Sequence, residues 1–131
     1  MEWREFALRA IGVPFVDRGR SWDGWDCWGM VVVAYRECLG IDLRPYDEIS
    51  ALDRQAVFCQ MGAEIASRWR LVETGQENAG DAVLIRPCHV GLVIAPGSML
   101  HVAPETGTCL VNYRGQAWCN LIAGFYRYVG D

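Results

Sequence analysis

The chain of 131 residues is long enough for one domain with a sizeable core and short for two. Its composition, 52% hydrophobic and 21% charged, is that of a soluble globular domain, and a net charge of −4 excludes the basic footprint of a nucleic-acid binder. The longest apolar run, Met30 to Ala34, falls far short of the roughly 20 residues that cross a bilayer, so no membrane insertion is expected. The opening "MEWREFALRAIG" has acidic residues and no long apolar stretch, so it does not read as a secretory signal. All 12 basic residues are arginine.

In chain order, "WREFALRAIG" places Trp3, Phe6, Ala7 and Ala10 at helical spacing, with Gly12 and Pro14 ending the pattern. Residues 12–26, "GVPFVDRGRSWDGWD", read as loop. Cys27 to Leu39 reads as a buried helix stopped by Gly40, despite its Val31-Val32-Val33 run. "GIDLRPYDEI" is loop again. Ser50 is expected to cap a further helix with Asp53 as its capping-box partner, and that helix is expected to run to about Trp69. After the polar turn "ETGQENAG", short β-rich runs follow at Ala82–Arg86, His89–Ala95, Ser98–Ala103, Thr108–Asn112 and Ile122–Tyr128. Helices first and strands later predict an α+β fold, with N-terminal helices packed on one face of an antiparallel β-sheet.

The six cysteines, in a chain read as lacking a signal, are expected to be reduced rather than paired. No C-x-x-C occurs, so neither a zinc ribbon nor a thioredoxin-type motif is legible. Cys38, Cys59, Cys109 and Cys119 read as small core or quiet surface residues. Cys27 stands apart because it opens a helix, where a thiolate is stabilised. The chain has two histidines, His89 and His101, and both fall in strands flanking the turn "APGS". A two-residue Pro96-Gly97 turn would pair His101 with Leu92 and put the two imidazoles on opposite faces. A three-residue loop or a bulge would put them on one face. A Cys27–His89–His101 constellation therefore requires an odd-length loop or a bulge. In it Cys27 is the nucleophile, His89 the base and His101 the residue that orients it, while Gly91 leaves space on the same face. Cys88 offers a rival nucleophile, but its neighbour His89 points to the opposite face of the strand. Asp26 opposes thiolate formation if it points at Cys27; capping the helix and binding a cation suit it better. Two histidines without suitably spaced carboxylates make no metal site, and no cofactor is expected.

Two blocks make the match specific. "GVPFVDRGRSWDGWDCWGMV" resembles the nucleophile segment of the NlpC/P60 family of cell-wall peptidases, and "GDAVLIRPCHVGLVIAPGSMLHVAP" resembles its histidine block. Gly12, Pro14, Gly24, Asp26, Cys27, Gly29 and Val31 match in the first, and Gly80, Asp81, His89, Val90, Gly91 and His101 in the second. The resemblance implies one papain-like NlpC/P60 domain over residues 1–131. It implies catalytic residues Cys27, His89 and His101, with the Cys27 backbone N–H in the oxyanion site. Its substrate would be a peptidoglycan stem peptide, cut between D-Glu and a diamino acid.

Two positions depart from the family pattern. Phe15 stands where a tyrosine is usual, and Trp28 where a serine follows the cysteine. The family's Asp–Ser pair is associated with the substrate's free amino end, so Asp26, Trp28, Phe15, Trp25 and Gly91 are the expected substrate-binding residues. Trp22, Trp25 and Trp28 read either as packing or as a groove wall. Arg18 and Arg20 read either as solvated or as binders of substrate carboxylates, and Tyr46 as a lid or a packed loop residue. "DCWG", "YRECLGIDL" and "GFYRY" resemble the subgroup found in bacteriophage tail modules and gene-transfer particles. The implied localisation is synthesis in the bacterial cytoplasm and incorporation into a phage or phage-like tail, with tail-tip proteins as partners. Two other readings use the same scaffold: a structural tail-tip or tail-assembly protein with little hydrolase activity, and an amidase or acyltransferase.

Overall fold

A computed structural model describes residues 1–130. Helix α1, Trp3–Ala10, buries Phe6, Ala7 and Ala10 along one face. The following segment is not wholly loop: β1, Arg20–Ser21, and β2, Gly24–Trp25, form a small antiparallel ladder. Helix α2, Cys27–Leu39, buries Cys27 and every residue from Gly29 to Tyr35. Asp26 caps it by accepting the Gly29 N–H at 2.8 Å. Gly40 ends it in the left-handed region at φ 66°, its N–H reaching the Arg36 and Tyr35 carbonyls.

Helix α3, Arg54–Arg68, begins later than expected. Its cap is Asp53, which accepts the Ala56 N–H at 3.1 Å. Ser50 is not the cap: its Oγ donates to Asp17 at 2.6 Å and accepts the Leu52 N–H at 3.1 Å, closing a turn ahead of the helix. The only fully buried residue of α3 is Glu64.

Six strands follow: β3 (Trp69–Val72), β4 (Ala82–Ile85), β5 (His89–Ala95), β6 (Ser98–Ala103), β7 (Gly107–Asn112) and β8 (Ile122–Tyr128). They form one antiparallel sheet in the order β3-β8-β4-β5-β6-β7. The sequence anticipated all but β3, an edge strand that buries its two ends and exposes Arg70 and Leu71, so its burial does not alternate. Helices α1 and α2 cover one face, where Phe6, Met30 and Val31 pack against Val90, Leu92 and Leu100. On the other face Val83, Val93, Met99, Tyr113 and Phe125 form a second cluster. This is the expected α+β arrangement. Among the described residues no helix is long and apolar enough to cross a membrane.

The β5–β6 hairpin decides where the histidines face. Ala95 pairs with Ser98 across a two-residue Pro96-Gly97 turn, with Gly97 at φ 95°. Alone, that register would separate the two imidazoles. The ladder shifts between Val93 and Ala95, so that Val93 faces Met99 and Leu92 faces Leu100. One step further along, His101 stands opposite Gly91, on the face shared by His89. The condition set by the sequence is met by a bulge at Ile94 on top of the tight turn.

Gly91 has no room for a side chain: a Cβ there would lie 3.0 Å from the Leu100 carbonyl oxygen and 3.1 Å from Met99 Sδ. Gly91→Ala should therefore lose about 1–3 kcal/mol of stability to overpacking. Urea unfolding should show a lower midpoint with unchanged slope.

Candidate active site

Cys27 is the first residue of α2 and is 8% exposed. Its thiol meets the backbone N–H groups of Val90 on β5 and of Trp28, which favour a thiolate. Burial outweighs them, and the Asp26 charge acts in the same sense as burial, so the thiol is pushed up to about 11.

His89 and His101 meet edge to face, with ring centroids 5.9 Å apart and planes at 84°. The contact is between rings; no hydrogen bond joins the two imidazoles. Burial, and then repulsion from His101, pull His89 down to about 4. Burial also lowers His101. The Trp118 ring lies 4.6 Å from the His101 ring, and the buried His101 Nδ1 has no hydrogen-bond partner. The resting site therefore holds a protonated thiol and neutral imidazoles rather than an ion pair.

Cys27, His89 and His101 open onto one cleft of about 490 Å³. Val57, Met61 and Ile65 of α3 line one side, Leu84 and Ile85 of β4 the other. Phe15, Asp26 and Trp28 also line it. Trp25 and Gly91, expected to bind substrate, do not reach it. Trp25 is wholly buried, its indole N–H donating to Thr108 Oγ1 at 2.8 Å, and Gly91 is packed between strands. Trp22 packs on Phe6 and Trp25.

Asp26 is held on both oxygens. Oδ1 accepts from Gly29 N and from Arg20 Nη1, each at 2.8 Å, and Oδ2 accepts from Arg18 N at 3.0 Å. Trp28 donates its indole N–H to the Arg44 carbonyl at 2.8 Å and packs against Tyr46 and Trp69. Its bulk thus pins residues 41–50 over the cleft. Tyr46 completes that strap by donating its hydroxyl to Glu64 Oε1 at 2.7 Å. Cys88 also lines the cleft, its Sγ 3.9 Å from the Arg54 carbonyl oxygen.

Sequence reasoning missed Glu64 and Trp118. Glu64 stands among Val57, Met61 and Ile65 at helical core spacing, and a carboxylate in such a stripe was a legible signal. Trp118 lies in "RGQAWCNL", which has no periodicity to follow. All six cysteines are free. Among the described residues no cluster of three or more His, Cys, Asp or Glu could hold a metal.

Helices on an antiparallel sheet, with a helix-start cysteine and two strand histidines on one cleft, match the papain-like arrangement that the family resemblance implies. The NlpC/P60 family model matches residues 12–127, and the chain belongs to that family, whose members are generally cysteine peptidases and cell-wall hydrolases. Comparison with curated proteins gives no match. Among solved structures, the NlpC/P60 domain of the peptidoglycan hydrolase SagA is similar at 20% identity and TM-score 0.66, over 95% of this chain and 93% of that one. An NlpC/P60 family protein from Bacillus cereus is similar at 20% identity and TM-score 0.73, over 98% of this chain. A lipoprotein-like NLP/P60 protein from Staphylococcus aureus is similar at 19% identity and TM-score 0.66, also over 98%. The chain spans only 39% and 41% of the lengths of these last two proteins. At these identities the likeness is one of fold.

The neutral resting site sets a pH signature. Iodoacetamide should alkylate Cys27 slowly at pH 7, with a rate that keeps rising towards pH 11 instead of levelling off near neutrality, as peptide mapping by mass will show. His89 stays neutral until pH falls towards 4, so it remains unprotonated, though a weaker proton acceptor, across the range where an ordinary histidine near 6.5 would already be protonated.

Proposed function

We propose that this domain is a cysteine endopeptidase that hydrolyses peptidoglycan stem peptides between D-Glu and the diamino acid, working within a phage or phage-like tail tip. The observation that carries the reading is the opening of Cys27, His89 and His101 onto one cleft in a chain of this family. The tail assignment is supported by the resemblance of "DCWG", "YRECLGIDL" and "GFYRY" to tail-module sequences.

Cys27 Sγ attacks the scissile carbonyl carbon as His89 takes the thiol proton. The C–N bond then breaks, His89 returns the proton to the departing amine, and an acyl-thioester remains on Cys27. The Cys27 N–H at the start of α2 faces the developing oxyanion. Water, deprotonated by His89, releases the acid and restores the thiol. A thiol that starts protonated fits this order, because the base and the attack act together. His101 sets the His89 ring by edge contact. A second reading, a structural tail protein, is favoured by the depth at which Cys27 is buried.

Incubation with diaminopimelate-type peptidoglycan fragments separates the two. The expected products, identified by mass, end at D-Glu. Cys27→Ala and His89→Ala should each lower the rate by roughly 10³-fold or more. Intact fragments after incubation with folded wild-type protein would leave the structural reading standing. Immunogold labelling of particles made by the encoding element should mark the tail tip.

A further inference from the structure

The cleft is lined by two carboxylates, Asp26 and Glu64, and three arginines, Arg20, Arg54 and Arg86. Both carboxylates are 3% exposed and already matched by the protein. Arg20 pairs with Asp26 at 2.8 Å, and Arg68 with Glu64 at 2.9 Å. Each carboxylate also accepts two further hydrogen bonds: Asp26 from Gly29 N and Arg18 N, and Glu64 from Tyr46 Oη and Trp69 Nε1. Neither charge is left for a substrate ammonium, and releasing either would strand a buried ion.

The cations are different. Arg20 donates Nε to the Pro45 carbonyl at 2.7 Å, and Nη1 to the Gly19 carbonyl at 2.7 Å and to Asp26. Its Nη2 has no partner among the described residues, although the side chain is only 13% exposed. The guanidinium is thus held rigidly with one nitrogen unspent, and ligand binding there need not pay for ordering it. Arg54 and Arg86 also line the cleft and form no ion pair among the described residues. Every unspent charge in the cleft is positive.

We propose that Arg20 binds a substrate carboxylate through Nη2, so that the cleft selects peptides with a free carboxylate beside the scissile bond and is indifferent to a free amino end. The inference rests on the peptidase reading and specifies its substrate. A γ-linked D-Glu carries such a carboxylate at its α-carbon. Asp26, expected from the sequence to meet an ammonium, instead serves to fix Arg20. A peptide whose amino end is blocked, as in intact wall, is then as good a substrate as a released one.

The test uses four synthetic stem peptides: the D-Glu α-carboxylate free or converted to the primary amide, and the amino end free or acetylated. For the wild type, amidation should lower kcat/KM roughly tenfold or more, the loss of a charge-assisted hydrogen bond. Acetylation should change it less than about twofold, within the weak effect of an exposed charge. Arg20→Met should remove the discrimination against the amide. If that variant does not fold, the wild-type comparison decides alone. A dependence on the free amino end with indifference to amidation overturns the proposal. If wild type cuts none of the four, the peptidase reading fails, and calorimetric binding of the same peptides becomes the test. Preference for the carboxylate forms supports the role of Arg20; no preference or no binding overturns it.

Discussion

One buried carboxylate sets the position of everything around Cys27. Asp26 joins three parts of the chain: the start of α2 through Gly29 N, the preceding loop through Arg18 N, and the 41–50 strap through Arg20, which reaches the Pro45 carbonyl. A charge in a site this dry is tolerable because it is paired and hydrogen-bonded on both oxygens. The close approach depends on glycine as well. A Cβ on Gly29 would lie 2.0 Å from the Gly19 carbonyl oxygen. The same arrangement has a chemical side effect. The Asp26 charge, added to burial, disfavours the Cys27 thiolate. The carboxylate that caps α2 thus adds to the burial that keeps the Cys27 thiol protonated.

The strap explains why Trp28 can occupy a position where the family usually has serine. Its indole spans from α2 to the Arg44 carbonyl and packs between Tyr46 and Trp69. Tyr46 adopts φ 49°, uncommon for a residue with a side chain, while its hydroxyl reaches Glu64. Tryptophan, tyrosine and glutamate together tie the loop to two helices. The residue beside Cys27 has a mechanical task here.

Much of this was legible before the structure. The apolar run after Cys27 and the Gly40 stop mark α2, and the β-rich runs mark five of the six sheet strands. The histidine pair could be stated only as a condition, because a bulge at Ile94 has no sequence signature of its own. Ser50 reads as the cap with Asp53 as its partner, and Asp53 takes the capping place itself. Asp17, 33 residues away in sequence from Ser50, engages the serine, and no local pattern could show that. Trp25 and Gly91 misled for the opposite reason. They lie next to site residues along the chain, but the Trp25 side chain is directed into the core and the Gly91 backbone is packed between strands. Glu64 was legible as a carboxylate in an apolar helical stripe, whereas Trp118 reaches the site through tertiary packing that spacing does not encode.

The way α3 is held gives the cleft its own stability scale. The helix has a single fully buried residue, and Val57, Met61 and Ile65 line the cleft half-buried, with Met61 alone of the three packed against the main core. Helices owe most of their stability to such packing. With little of it, α3 depends on its Asp53 cap and on the Glu64 contacts near its other end. An element of this kind opens at a lower free-energy cost than the sheet it borders. Warming will blunt the groove while the β-scaffold is still folded. The shape of the groove is then expected to be lost at a lower temperature than the fold, beginning at the α3 wall.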